Sequence, residues 1–127
     1  MREMLGLIFV LTCLSGCDEN KIWRQEQLLS MIRSHDSTVE IILPMGQDQV
    51  INCSDYTPPC RTAHRLKVKG LECLALEFPS AEEAEAAALP IKAFYSRNWV
   101  FDDVYQEPIL EKLVQKAIPE TVHASGE

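Results

Sequence analysis

A small α+β domain, with a mostly antiparallel sheet, helices on one face and one β-α-β unit, is the fold this sequence predicts. Three observations carry that expectation. Arg65–Lys69 alternates charged and apolar residues and is followed, across Lys69-Gly70, by the two-sided apolar run Leu71–Phe78. Ser80 and Glu83 form a capping box that opens a helix. Pro108 opens another helix, whose apolar stripe runs from Ile109 to Ile118. At 127 residues, 46% hydrophobic and 24% charged, the chain suits one domain with a modest core and excludes wholesale disorder or a multi-span membrane protein. A net charge of −7 without a run of Lys or Arg argues against a nucleic-acid partner, whose phosphates need a basic stripe.

Taken in order, Glu19–Arg33 is helical in composition, with Ile22, Leu28, Leu29 and Ile32 as a rough stripe, and Ser34-His35-Asp36-Ser37 is a loop. Thr38–Leu43 reads as a strand with Val39, Ile41 and Leu43 on one face, and Gln49–Cys53 as a shorter one after Pro44-Met45-Gly46. Arg65–Lys69 is a half-exposed strand with Leu66 and Val68 inward, Lys69-Gly70 a hairpin turn, and Leu71–Phe78 a central strand. The helix after Ser80 is expected to run from Ala81 to about Tyr95, with Ala84, Ala87, Ala88, Ile91 and Phe94 inward and a kink at Pro90. Trp99–Val104 is a strand with Trp99 and Phe101 on one face. Pro119 stops the last helix, and residues 120–127 are expected to form a disordered tail. The order α-β-β-β-β-α-β-α places one β-α-β unit between Leu71 and Val104, and a right-handed crossover would make its strands parallel. By analogy of element order alone, a ferredoxin-like arrangement is the nearest familiar one.

The N-terminus carries a different signal. Met1-Arg2-Glu3 is a short n-region, and Leu5–Leu14 is apolar except for Thr12. Such a run fits a signal-peptide h-region, whereas a membrane-spanning helix needs about 20 apolar residues. Leu14-Ser15-Gly16-Cys17 follows at once, and this segment resembles the lipobox of bacterial lipoproteins. The resemblance implies cleavage after Gly16, a diacylglyceryl group on Cys17 Sγ, and often a further acyl chain such as palmitate on the freed amine. Residues 1–16 are then a signal peptide and residues 17–119 the single domain. The expected location is the exported side of a bacterial envelope membrane. The lipid on Cys17 is the anchor, and no other cofactor is expected. In enteric-type bacteria the resemblance makes Asp18 an inner-membrane retention signal, which slightly favours the inner membrane and leaves inner versus outer undecided.

Chemistry within the domain centres on cysteine. Cys53, Cys60, His64 and Cys73 could hold zinc, but their spacing lacks the close pairs of zinc fingers. In an exported chain oxidation is the stronger reading, with Cys53 and Cys60 bridged and Cys73 a buried thiol in its strand. The bridge would rigidify the loop Asp55-Tyr56-Thr57-Pro58-Pro59, making Asp55, Tyr56, Pro58 and Pro59 a candidate partner-binding surface. Ser34-His35-Asp36 has the letters of a catalytic triad, but adjacent residues cannot converge on one substrate. Asp102 and Asp103 point to opposite faces of a strand and cannot chelate together, even with Glu107 nearby. Beside Arg61 and Arg65, His64 reads as a surface residue. Tyr95, Trp99, Phe101 and Tyr105 cluster at one sheet edge, as core or as an aromatic docking patch. No catalytic residue is assigned. The functional expectation is a membrane-tethered binding or scaffolding domain that contacts an envelope protein. A thiol-redox or metal-binding lipoprotein using Cys53, Cys60, Cys73 or His64 is the alternative.

Overall fold

Residues 21–125 are described by a computed structural model, and the signal segment, the lipobox and Cys17 lie outside them. The first helix, α1, spans Gln25–His35 and buries Leu28 and Ile32, one turn apart on one face. It begins later than composition suggests because Trp23 is engaged elsewhere. Its backbone N–H donates to Asn98 Oδ1 at 2.7 Å, and its carbonyl accepts from the Trp99 indole at 2.8 Å. Arg24 then starts the helix, its backbone N–H donating to Gln27 Oε1.

Six strands follow: β1 (Glu40–Ile42), β2 (Thr62–Val68), β3 (Leu71–Glu77), β4 (Phe94–Ser96), β5 (Trp99–Asp102) and β6 (Val122–His123). They form one sheet in the order β1-β2-β3-β5-β4-β6, each antiparallel to its neighbours. The β2–β3 hairpin is tight. Val68 pairs with Leu71, and Lys69 and Gly70 both have positive φ, 53° and 83°, the conformation that matches the twist of a two-residue hairpin. Helix α2 spans Ala81–Ile91, capped by Ser80 Oγ accepting from the Glu83 N–H, and α3 spans Pro108–Ala117.

The α+β class and the antiparallel sheet match expectation; four finer expectations do not. First, β3 and β5 are antiparallel, not parallel. Rather than only kinking α2, Pro90 sits in its last turn; Lys92 turns left-handed at φ 54°, and the Ala93 N–H closes back on the Ala88 carbonyl. The freed residues form β4, a strand that reverses through Arg97-Asn98 into β5. The crossover from β3 through α2 therefore reaches β4, with β5 inserted between, a split β-α-β unit.

Second, the helices lie on both faces. Alternation along β3 sends Cys73 and Ala75 toward α1 and α3, but Leu74 and Leu76 toward α2. A central strand apolar on both sides requires a cover on each. Third, Gln49–Cys53 is not a strand. Short 3₁₀ turns at Gln47–Gln49 and Cys53–Asp55 flank it, and Cys53 uses its carbonyl to accept from the Cys60 N–H, closing a loop instead of a ladder. Fourth, the segment expected as a disordered tail supplies β6. Val122 and His123 pair with Tyr95 and Phe94, and Ala124 is buried. Two residues long, β6 has no sequence pattern of its own and exists because β4 offers an edge.

Candidate functional site

The loop singled out from the sequence is held by two restraints. Cys53 and Cys60 form a disulfide with their Cα atoms 4.7 Å apart. Between them, the Tyr56 hydroxyl donates to Asp102 Oδ2 at 2.7 Å, pinning the loop to the end of β5. The Thr57–Pro58 peptide is cis. Cys60 is buried beside Leu76 and Phe78, while Asp55, Thr57 and Pro59 are exposed. Burial pushes the Tyr56 hydroxyl pKa up, reinforced by its bond to Asp102 and by the charges of Asp103 and Asp55, so the phenol stays protonated as the donor. Asp103 is raised by burial and by the adjacent Asp102 charge.

Cys73 is a free, buried thiol, and burial pushes its pKa up to about 12. It lies on the α1/α3 face of the sheet. Cys60 packs on the α2 face with Cys53 against it, so the structure does not bring these three sulfurs together. His64 is not the surface residue its arginine neighbours suggest. In β2 it shares the face of Leu66 and Val68, its ring 6.1 Å from that of Trp99, and its buried Nε2 has no partner among the described residues. No group of three or more metal-ligating side chains occurs among the described residues. The triad letters resolve into local capping. Ser34 Oγ donates to the Ser30 carbonyl, and Asp36 Oδ1 accepts from both the N–H and the hydroxyl of Thr38, which hold its carboxyl below the usual range. Of the aromatic group, Trp99 and Phe101 are core, Tyr95 is half-buried, and exposed Tyr105 stacks on His123, which stacks in turn on Phe94.

One cluster has no counterpart in the sequence reading. Among the described residues Ser96 and Asn98 are the buried polar ones, and both bond Trp23. Ser96 Oγ accepts from the Trp23 indole at 2.9 Å and donates to the Pro119 carbonyl at 2.5 Å, while Asn98 Nδ2 donates to the Phe78 carbonyl. The Arg97 guanidinium lies 3.8 Å over the Trp23 ring and is paired with Glu120 at 2.6 Å. The segment leading from the N-terminus is thus fastened to the β4–β5 hairpin and to the end of α3. A Trp followed by a helix, with Ser and Asn beside a second Trp, was the available signal, but nothing local ties residues more than seventy positions apart. No family model, curated protein or solved structure matches this chain.

Proposed function

We propose that this chain is a lipoprotein of the bacterial cell envelope, held to a membrane through Cys17, whose domain binds an envelope protein partner. The clamped loop between Cys53 and Cys60 is the observation that carries the binding half of this reading. A disulfide and the Tyr56–Asp102 hydrogen bond hold it, yet it presents Asp55, Thr57 and Pro59 to solvent. A surface ordered in advance loses little conformational entropy on association, the economy a binding loop needs. The tethering half rests on the Leu14-Ser15-Gly16-Cys17 segment and on how soon the fold begins after it. Cys17 and Trp23 are separated by six residue steps, so the chain between them spans at most about 20 Å. Asp18 favours the inner membrane in this reading.

Two acyl chains anchor stably where one binds only reversibly, at roughly 10⁴ M⁻¹. The mature protein is therefore expected to stay in the membrane fraction through high salt and alkaline wash, and Cys17→Ser to leave an uncleaved precursor. Photo-crosslinkers at Asp55 and Pro59 in intact cells should capture the same envelope protein. Equal mass and fractionation of wild type and Cys17→Ser would remove the tether; crosslinks that differ at random between the two positions would remove the binding loop.

A further inference from the structure

The two ends of the sheet carry different groups. Trp23 marks one end, bonded to Asn98 and Trp99, and Trp99 pairs with Glu77 at the close of β3. The Lys69-Gly70 turn marks the other, because Leu71 opens β3 six residues earlier, about 20 Å away along the strand. Helix α1 runs from the first end toward the second and finishes at His35.

At that second end a hollow of about 410 Å³ lies between the end of α1, the β2–β3 turn and the outer side of α3. Its rim carries Lys69, Lys112, Lys116 and His35, and Lys112 and Lys116 stand one helical turn apart on α3. Among the described residues the ion pairs at contact distance are Arg65–Glu72 and Arg97–Glu120, and these three lysines are not in them. Asp36 is the acidic residue of the lining; its Oδ1 accepts from Thr38 and its charge is favoured by Lys69, so one carboxylate offsets part of the lysine charge. In a chain of net charge −7, three lysines set against one carboxylate make this hollow a local cationic patch suited to an anionic occupant. The floor is apolar: Ile109 is exposed at its edge, with Val68 and Leu113 buried beneath.

We propose that this hollow binds an acidic, partly apolar peptide segment of a partner protein, with carboxylates on Lys69, Lys112 and Lys116 and an apolar side chain against Ile109. The inference rests on the reading of the chain as a tethered binding domain and names the chemistry of its partner. Charge complementarity selects the acidic occupant, and the apolar floor selects a peptide over a bare inorganic anion. Position argues against the anchoring bilayer, since the chain enters the fold at the opposite end of the sheet.

The test uses the full chain in a neutral detergent and a fluorescein-labelled peptide of alternating glutamate and leucine. Saturable binding is expected, weakening steeply with salt and losing about ten-fold in affinity in K112E/K116E. K92E, a charge change on the α2 side, should keep wild-type affinity. Equal loss in K92E and K112E/K116E, or no saturation, would overturn the proposal. So would phosphate competing as well as unlabelled peptide, phosphatidylglycerol vesicles binding in its place, or light scattering showing self-association that K112E/K116E abolishes, which would make a second copy the occupant. Because the peptide assay does not depend on lipid, a chain that binds peptide but carries no lipid on Cys17 keeps this site and loses only the tether. A lipidated chain that ignores the peptide does the reverse.

Discussion

The two faces of the sheet are built by different means. Toward α1 and α3 the core is made of bulk: Trp99, Phe101, Leu28, Ile32, Leu110 and Leu113 interlock there. Toward α2 the helix contributes Ala84, Ala87 and Ala88, and the cover is completed by a covalently closed loop carrying Cys60 and Tyr56. Alanine lets α2 approach the sheet closely but buries little area, so this face leans on crosslinks where the other leans on hydrophobic burial. Size does one job; connectivity does the other.

That contrast can be broken from either side. The largest effect is expected at Leu113, buried between α3 and the sheet. Leu113→Ala should cost about 2–5 kcal/mol in chemical denaturation, as buried leucine truncations do. Opening the Cys53–Cys60 bridge, by reduction or by paired alanines, should cost about 2.5 kcal/mol, the chain-entropy value for so short a loop. If the two losses exchange places, the α2 face carries the stability and the contrast is inverted. Tyr56→Phe removes one hydrogen bond from the same loop and should cost about 1 kcal/mol. Lys112→Ala, on the exposed side of α3, should stay within about 0.5 kcal/mol, which checks that the Leu113 loss comes from burial and not from helix propensity.

The alkaline limb separates the faces by a different variable. Both Cys73, on the α1/α3 face, and Tyr56, in the loop, are acids whose folded pKa values are raised by burial. Groups of this kind contribute stability that is complete below their unfolded pKa and is lost as pH rises toward the folded value. For Cys73 the window opens near its ordinary 9 and extends to about 12. Stability should therefore decline across that range, and Cys73→Ala should flatten the decline at its lower edge while Tyr56→Phe acts above it. In the native protein near neutral pH, alkylating reagents should leave Cys73 unmodified; rapid modification would mean that the α1/α3 face opens readily.

Much of this architecture was legible in the residues because it is local. Strict alternation marked β2, the Lys-Gly pair marked the hairpin, Ser80 with Glu83 marked the start of α2, and the stripe from Ile109 to Ile118 marked α3, although Ile109 itself is exposed. The Cys53–Cys60 pairing was legible because two prolines in a short loop favour return of its ends. What stayed hidden depends on distant partners. Phe94 follows Ile91 at helical spacing, so β4 looked like more helix until the Pro90 end and the β5 edge decided otherwise. His64 looked exposed because its sequence neighbours are arginines, whereas in a strand the relevant neighbours are Leu66 and Val68, two and four positions on. The Trp23 cluster and the lysine hollow each assemble from segments far apart in the chain, and only the i, i+4 pair Lys112 and Lys116 could be read locally.

The Trp23 cluster also determines how the molecule bears a pull. Tension on the chain before residue 23 does not fall first on the opening turn of α1. It meets the hydrogen bonds of the Trp23 backbone to Asn98 and Trp99, the indole bond to Ser96 and the guanidinium stacked above the ring. Asn98 and Trp99 lead into β5, which lies between β3 and β4, and Phe78 holds Asn98 from the far side. Load applied at residue 23 would thus enter the middle of the sheet before it reached the helix.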